Sequence, residues 1–315
     1  MRAIIIDKPG AAADLQQVTL PAPEAGHNEV LVAVKAISIN PVDVKARANE
    51  GTMNWLMADE RPAILGWDIS GVVVGTGKAV TAFKPGNEVF GMINFPGKGR
   101  AYADYVVADA AHLALKPATI DHNEAAAATL AALTAWQVLT KAMQVQAGQK
   151  VLIHAAAGGV GHYAVAMAKH LGAYVTGTSS AANRDFVLSL GADAHIDYNT
   201  TPFETVAWEA DFIFDTMAGD TLKRSVEAAK PGAVIISIPS SAIPEPLKEQ
   251  ARDKGVTLDF LMVTSNGQDM QSLAHLLEQG SIKSHVSQVF DFTAMREAHE
   301  AVETGKTRGK VVVTV

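Results

Sequence analysis

Residues 150–173 read KVLIHAAAGGVGHYAVAMAKHLGA, and the fold of the chain follows from this stretch. Lys150–Ala155 is a short apolar run of strand character. A glycine cluster follows, and then a helical stretch that Gly172 closes. Strand, glycine turn and helix in that order form the fingerprint of a pyrophosphate cradle. Gly158 lets backbone approach a phosphate, and Gly161 lets the helix pack closely on the sheet. The helix start then offers free N–H groups and partial positive charge. Ala157, Gly158, Gly159, Val160 and Gly161 are therefore the candidate cradle. Ala156 stands where the fingerprint has its first glycine. The competing reading is a glycine-rich turn without a ligand, which the strand–turn–helix context disfavours.

Downstream the rhythm continues. YVTGTS, AHIDY, DFIFDT, AVIISIP and VTLDFLMV are strand-like runs separated by helical segments of about ten residues. Alternation of this kind means βαβ units and a parallel sheet, and six such strands suit a doubly wound Rossmann domain. An NAD-binding chain places Asp or Glu at the end of the second strand, about 20 residues on, against the ribose 2′-hydroxyl. Here that end reads Thr178-Ser179-Ser180, with no acid before Asp185. Hydroxyls and a cation suit an added 2′-phosphate; Arg184 supplies the cation with a planar fork of donors. Tyr198, after the third strand, adds a hydroxyl. The expected cofactor is NADP(H). The plainer reading of Arg184 is a solvated helix residue.

The first third is β-rich, with RAIII, Glu29–Asn40, Asp68–Gly77, Phe83–Met92 and Ala101–Ala108 separated by turn signals, as in a small barrel or sandwich. Ala125–Val138 reads as one buried alanine-rich helix, too short to span a membrane. After Val263 the alternation stops, and the closing GKVVVTV resembles the N-terminal β material. The expected class is α/β, with a β-rich catalytic domain of residues 1–118 and 264–315 and a Rossmann domain of residues 119–263.

Cysteine is absent, which removes disulfides, iron–sulfur clusters and sulfur-ligated zinc. A net charge of −7 and no basic cluster argue against nucleic acid. No signal peptide or membrane span is read, so a cytoplasmic location is expected. The ten histidines show no ligand spacing.

The chain resembles a zinc-independent medium-chain dehydrogenase/reductase of the quinone oxidoreductase, enone/alkenal reductase-like branch. The resemblance rests on Lys150–Ala173 with SINPVDVKAR (Ser38–Arg47), LGWDISGVV (Leu65–Val73), AALTAWQVL (Ala131–Leu139) and TRGKVVVTV (Thr307–Val315). It implies a GroES-like catalytic domain made from the first third and the tail. Where zinc-bearing members carry a GHE segment, this chain has Gly66-Trp67-Asp68, and the first cysteine ligand falls at Asn40–Pro41; no metal is expected. The resemblance also implies Lys45 as oxyanion stabiliser or proton donor, with Asn40 and Asp43 lining the same cleft; a surface lysine is the alternative for Lys45. It places Asn40, Thr134, Ile238, Pro239, Ser240, Phe260, Leu261, Met262 and Lys310 near the cofactor, and a homodimer through the Rossmann sheet edge. The expected activity is hydride transfer from NADPH to a small-molecule quinone or α,β-unsaturated carbonyl, since conjugation spreads charge without a metal. The alternative is an NADPH-binding sensor or structural protein without turnover.

Overall fold

A computed structural model of the chain describes residues 1–206, 209–239 and 241–315. Two compact units emerge, one of Met1–Leu133 with Val263–Val315 and one of Thr134–Met262. In chain order the first unit contributes β1 (Arg2–Ile5), β2 (Gln16–Thr19), β3 (Glu29–Ile39), β4 (Asp68–Thr76), β5 (Glu88–Met92), β6 (Tyr105–Asp109) and β7 (Ala114–Leu115). The second contributes β8 (Lys150–Ile153), β9 (Tyr174–Ser179), β10 (Ala194–Asp197), β11 (Phe212–Asp215), β12 (Val234–Ser237) and β13 (Thr257–Phe260). The chain then adds β14 (Val286–Asp291) and β15 (Lys310–Thr314) to the first unit.

In the first unit, β3 organises the sheet. Its N-terminal half, Glu29–Ala33, pairs with β6, and its C-terminal half, Ala36–Ile39, pairs with β15. Register shifts between Leu31 and Val32 and between Val34 and Ala36 mark where its pairing with β4 is irregular. Such bulges bend a strand and re-aim its side chains. One consequence matters for chemistry: the end of β3 lies beside the start of β4 (Ser38 opposite Asp68) and the start of β15 (Ile39 opposite Val311).

Two short helices, Pro41–Ala48 and Glu50–Met57, interrupt the β-rich third. They are too short for a visible apolar period. Their signals are local: Asn40 followed by Pro41 at the first helical position, and Asn49 Oδ1 accepting from the Thr52 amide at 2.9 Å. The single helix expected over Ala125–Val138 is instead two, His122–Ala127 and Leu130–Gln137. The break has a cause. The Leu130 amide donates to Asp68 Oδ1 at 2.9 Å rather than into a continuous helix, and the Thr129 hydroxyl donates to Ala126 O at 2.7 Å.

The second unit holds a wholly parallel six-stranded sheet in the order β10-β9-β8-β11-β12-β13. Strand order reverses between β8 and β11, so the ligand-binding crevice of such a sheet lies beyond their carboxyl ends. The central strands are covered on both faces, which is why they read as unbroken apolar runs. Leu152, Ile213, Ile235, Leu222 and Val226 belong to one buried cluster, each contributing roughly 1.5–3 kcal/mol by burial. Among the described residues no helix is long and apolar enough to cross a membrane.

Candidate functional site

The first polar cluster forms where β3, β4 and β15 converge. Asn40 leaves β3 and starts the helix Pro41–Ala48, and the Asp43 carboxylate accepts the Asn40 amide at 2.8 Å. On that helix Asp43 and Arg47, one turn apart, face inward, whereas Lys45 is exposed. The Asn40 carboxamide bridges two buried charges. Its Nδ2 donates to Asp68 Oδ2 at 2.6 Å, and its Oδ1 accepts from Lys310 Nζ. Lys310 also donates to Ile39 O at 3.2 Å. Because a lysine can only donate and a carboxylate only accept, the amide has one orientation. Asp68 is thereby held by Asn40 and Leu130, with the Thr129 hydroxyl beside it.

Asn40, Asp43, Asp68 and Lys310 are all at most 3% exposed, and burial sets their electrostatics. Desolvation raises the Asp43 carboxyl to about 7, helped by the nearby Asp68 charge and opposed by the Asn40 amide. Burial also raises Asp68, against the pull of Lys310, and lowers Lys310, against the pull of both carboxylates. Behind Asp43 stands Tyr102, whose hydroxyl lies 2.9 Å from His299 Nε2. Burial, aided by Arg47, depresses that imidazole to about 3, so it is neutral at ordinary pH. Arg47 donates to Gly10 O at 2.9 Å and pairs with Glu303, tying the helix to two distant segments.

The second cluster lies at the carboxyl ends of β8 and β9. A Cβ on Gly161 would sit 2.2 Å from Ala155 O, so only glycine permits that approach of helix Gly161–His170 to the strand. Gly158 has a different reason: a Cβ there would meet only Ala155, at 3.2 Å, so the requirement is open backbone. Among the described residues, the amides of Gly159 and Val160 have no protein acceptor. The donors and the bare backbone fit a pyrophosphate. On the neighbouring strand Ser179 is buried, with Oγ 2.7 Å from His195 Nε2. Ser180 is half-buried, while Arg184 and Tyr198 are exposed. Arg184 pairs loosely with Asp185 at 3.5 Å. Thr178 is turned away: its hydroxyl lies 3.2 Å from His154 Nδ1, whose other nitrogen is 3.0 Å from Ser225 Oγ. That buried pairing, with burial lowering His154 to about 4, gives the histidine a structural role.

The remaining expected residues sit at strand ends and on one helix. Thr134 is buried on helix Leu130–Gln137. Ile238 and Pro239 follow β12, half-buried; Ser240 lies outside the described residues. Phe260 ends β13, and Leu261 donates its amide to Ser237 O at 3.1 Å; Met262 is exposed. Three groups beyond those expected emerge. Asp68 completes the first cluster; the available signal was its place in Gly66-Trp67-Asp68, where zinc-bearing members carry GHE. His195 contacts Ser179. Asp215, at the end of β11, accepts from the Met217 and Ala218 amides at 3.1 Å and from Ser237 Oγ at 2.6 Å, so it shapes the turn at the sheet's reversal. Among the described residues no group of three or more His, Cys, Asp and Glu is placed to hold a metal ion.

A Rossmann sheet with a glycine turn, in a chain that also holds a β-rich unit with a buried lysine–carboxamide–carboxylate cluster, defines a dinucleotide-dependent class. The family model "Alcohol dehydrogenase GroES-like domain" matches residues 26–118, and "Zinc-binding dehydrogenase" matches residues 190–313. The chain is 32% identical to the chloroplastic quinone-oxidoreductase QR1 of Triphysaria versicolor, over 99% of this chain and 98% of that one. It is 31% identical to the chloroplastic NADPH-dependent alkenal/one oxidoreductase of Arabidopsis thaliana, over 92% and 73%. The quinone oxidoreductase structure from Coxiella burnetii superposes with a TM-score of 0.93 at 33% identity, over 100% and 99%. The chain belongs to the medium-chain dehydrogenase/reductase family, in its quinone oxidoreductase branch, and is an oxidoreductase.

Proposed function

We propose that the protein is an NADPH-dependent, metal-independent reductase of quinones or α,β-unsaturated carbonyls. The observation that carries this reading is the state of Asp68, the chain's counterpart to a metal-ligating segment. Its oxygens are engaged by the Asn40 carboxamide and the Leu130 amide, and Lys310 supplies the nearby positive charge. Metal sites need several converging N, S or O ligands, and this donor set is committed elsewhere. The hydroxyls and cation at the end of β9 favour the phosphorylated dinucleotide, as in the relative named for NADPH dependence.

Bound NADPH supplies the hydride. The protein supplies orientation and the proton. The Gly159 and Val160 amides hold the pyrophosphate, while Ser179, Ser180, Arg184 and Tyr198 receive the 2′-phosphate. Thr134, Ile238, Pro239, Phe260, Leu261 and Met262 border the nicotinamide half. Reduction of a conjugated acceptor would leave an electron pair on its oxygen; exposed Lys45 would stabilise that oxyanion and deliver a proton to the product. Asn40 and Asp43 act one step back, since both are buried: they fix the start of the helix that carries Lys45. The same reading gives a homodimer through β13, one of the two edges of the parallel sheet, which light scattering checks.

The test is NADPH oxidation with a quinone panel and an enone panel, in chelator, for the wild-type protein and Lys45→Ala. Turnover with a conjugated acceptor, insensitive to chelator and about 100-fold slower in the variant, supports the proposal. No turnover with either panel, or activity only after zinc is added, contradicts it.

A further inference from the structure

Ser179 can serve a phosphate only if its single hydroxyl proton points outward. A serine hydroxyl has one proton and two lone pairs, and a phosphate dianion only accepts. Ser179 Oγ lies 2.7 Å from His195 Nε2 and 3.2 Å from Ser180 O, so two internal groups compete for that proton. If the imidazole accepts, the hydroxyl proton is spent inside the protein. If Nε2 carries hydrogen and donates, Oγ becomes an acceptor and its proton is left to the long 3.2 Å contact with Ser180 O, which an incoming phosphate can outcompete. The register makes the contact a built feature: β10 runs parallel to β9 with Asp197 opposite Ser179 and His195 opposite Gly177.

We propose that His195 is a specificity-determining positioning residue: its Nε2–H donates to Ser179 Oγ and directs the serine proton at the 2′-phosphate of bound NADPH. The inference rests on the NADPH reading above and deepens it, because it assigns discrimination to a histidine on the third Rossmann strand. The surrounding charges fit. Arg184, from the helix after β9, and Asp197, on the histidine's own strand, are the charged groups acting on the imidazole. The Asp197 carboxylate, opposite Ser179 across the two strands, is engaged by the Asn199 amide at 3.1 Å, by Thr200 and by the Ala181 backbone. These donors take up its charge beside the corner that Ser179, Ser180 and Arg184 form.

The experiment is calorimetric titration of NADPH and NADH into the intact wild-type chain and into His195→Phe, His195→Gln, Ser179→Ala and Arg184→Ala. The expected result is a loss of about tenfold in NADPH affinity for His195→Phe with NADH unchanged, as for one charge-assisted hydrogen bond. Glutamine, whose amide can donate at nearly the same point, should restore most of it. Adding Ser179→Ala to His195→Phe should cost nothing further. An unchanged NADPH-to-NADH ratio in His195→Phe overturns the inference, as does equal loss of both cofactors. Failure of the underlying reading looks different: the wild-type chain itself would bind NADH as tightly as NADPH. If Arg184→Ala lowers the ratio and His195→Phe does not, the NADPH reading stands and the role of His195 falls.

Discussion

The two units handle polar chemistry under opposite conditions. In the first, Asn40, Asp43, Asp68 and Lys310 are sealed from water, with Asn40 tying the other three together. In the second, Arg184 and Tyr198 stand in solvent beside a buried serine. A sealed charge is costly unless its partner is in place, so the first cluster is coupled to folding. An open corner is hydrated either way, so its residues can be tuned for a ligand with little effect on stability. Substitutions in the sealed cluster should therefore change stability first, and substitutions in the open corner should change cofactor affinity alone.

The largest effect is expected for Lys310→Met. It leaves Asp68 buried without its cation and should cost about 3–5 kcal/mol in urea unfolding; a loss below about 1 kcal/mol would mean the cluster is wetter than its burial implies. Next is Asp43→Asn, read through pH. Asp43 titrates near 7 in the folded protein against an ordinary 3.8, so between those values the unfolded chain gives up its proton first. Stability from this group is therefore full below about pH 4 and falls until about pH 7, by about 4 kcal/mol in total. The asparagine variant should lose that slope and be the more stable chain at pH 8; parallel pH profiles would break the assignment.

Gly161→Ala is expected to cost about 2 kcal/mol, because its Cβ would collide with backbone at Ala155 O; its thermal midpoint checks this. The smallest effect on stability is expected for Arg184→Ala, with no measurable change in unfolding and NADPH bound about tenfold more weakly, or ~1.4 kcal/mol. If its unfolding midpoint moved as far as that of Lys310→Met, the contrast between sealed and open regions would fail.

The same contrast explains what the sequence revealed. The glycine turn and the end of β9 are local signals, each read from a few adjacent residues whose types decide backbone freedom and charge. The sealed cluster joins residues 28 and 270 positions apart. No periodicity announces such a meeting, and it emerges only once β15 lies against β3. For that reason Asn40 and Lys310 were legible only as separate residues, by resemblance, and Asp68 as a replacement without a partner. Lys45, singled out beside Asp43, turns out to lie on the opposite, exposed side of its helix. The break between His122–Ala127 and Leu130–Gln137 escaped for the same cause, since the Asp68 side chain that takes the Leu130 amide comes from 62 positions away. His195 was hidden differently: its partner is on the adjacent strand, and β-strand alternation gives a histidine no distinguishing mark.

The most direct test of the account is the ratio of NADPH to NADH dissociation constants for the chelator-treated wild-type protein, measured calorimetrically. Affinity at least tenfold tighter for NADPH, by ~1.4 kcal/mol or more, is the result the serine–arginine corner requires. Equal affinities, or a preference for NADH, would contradict it.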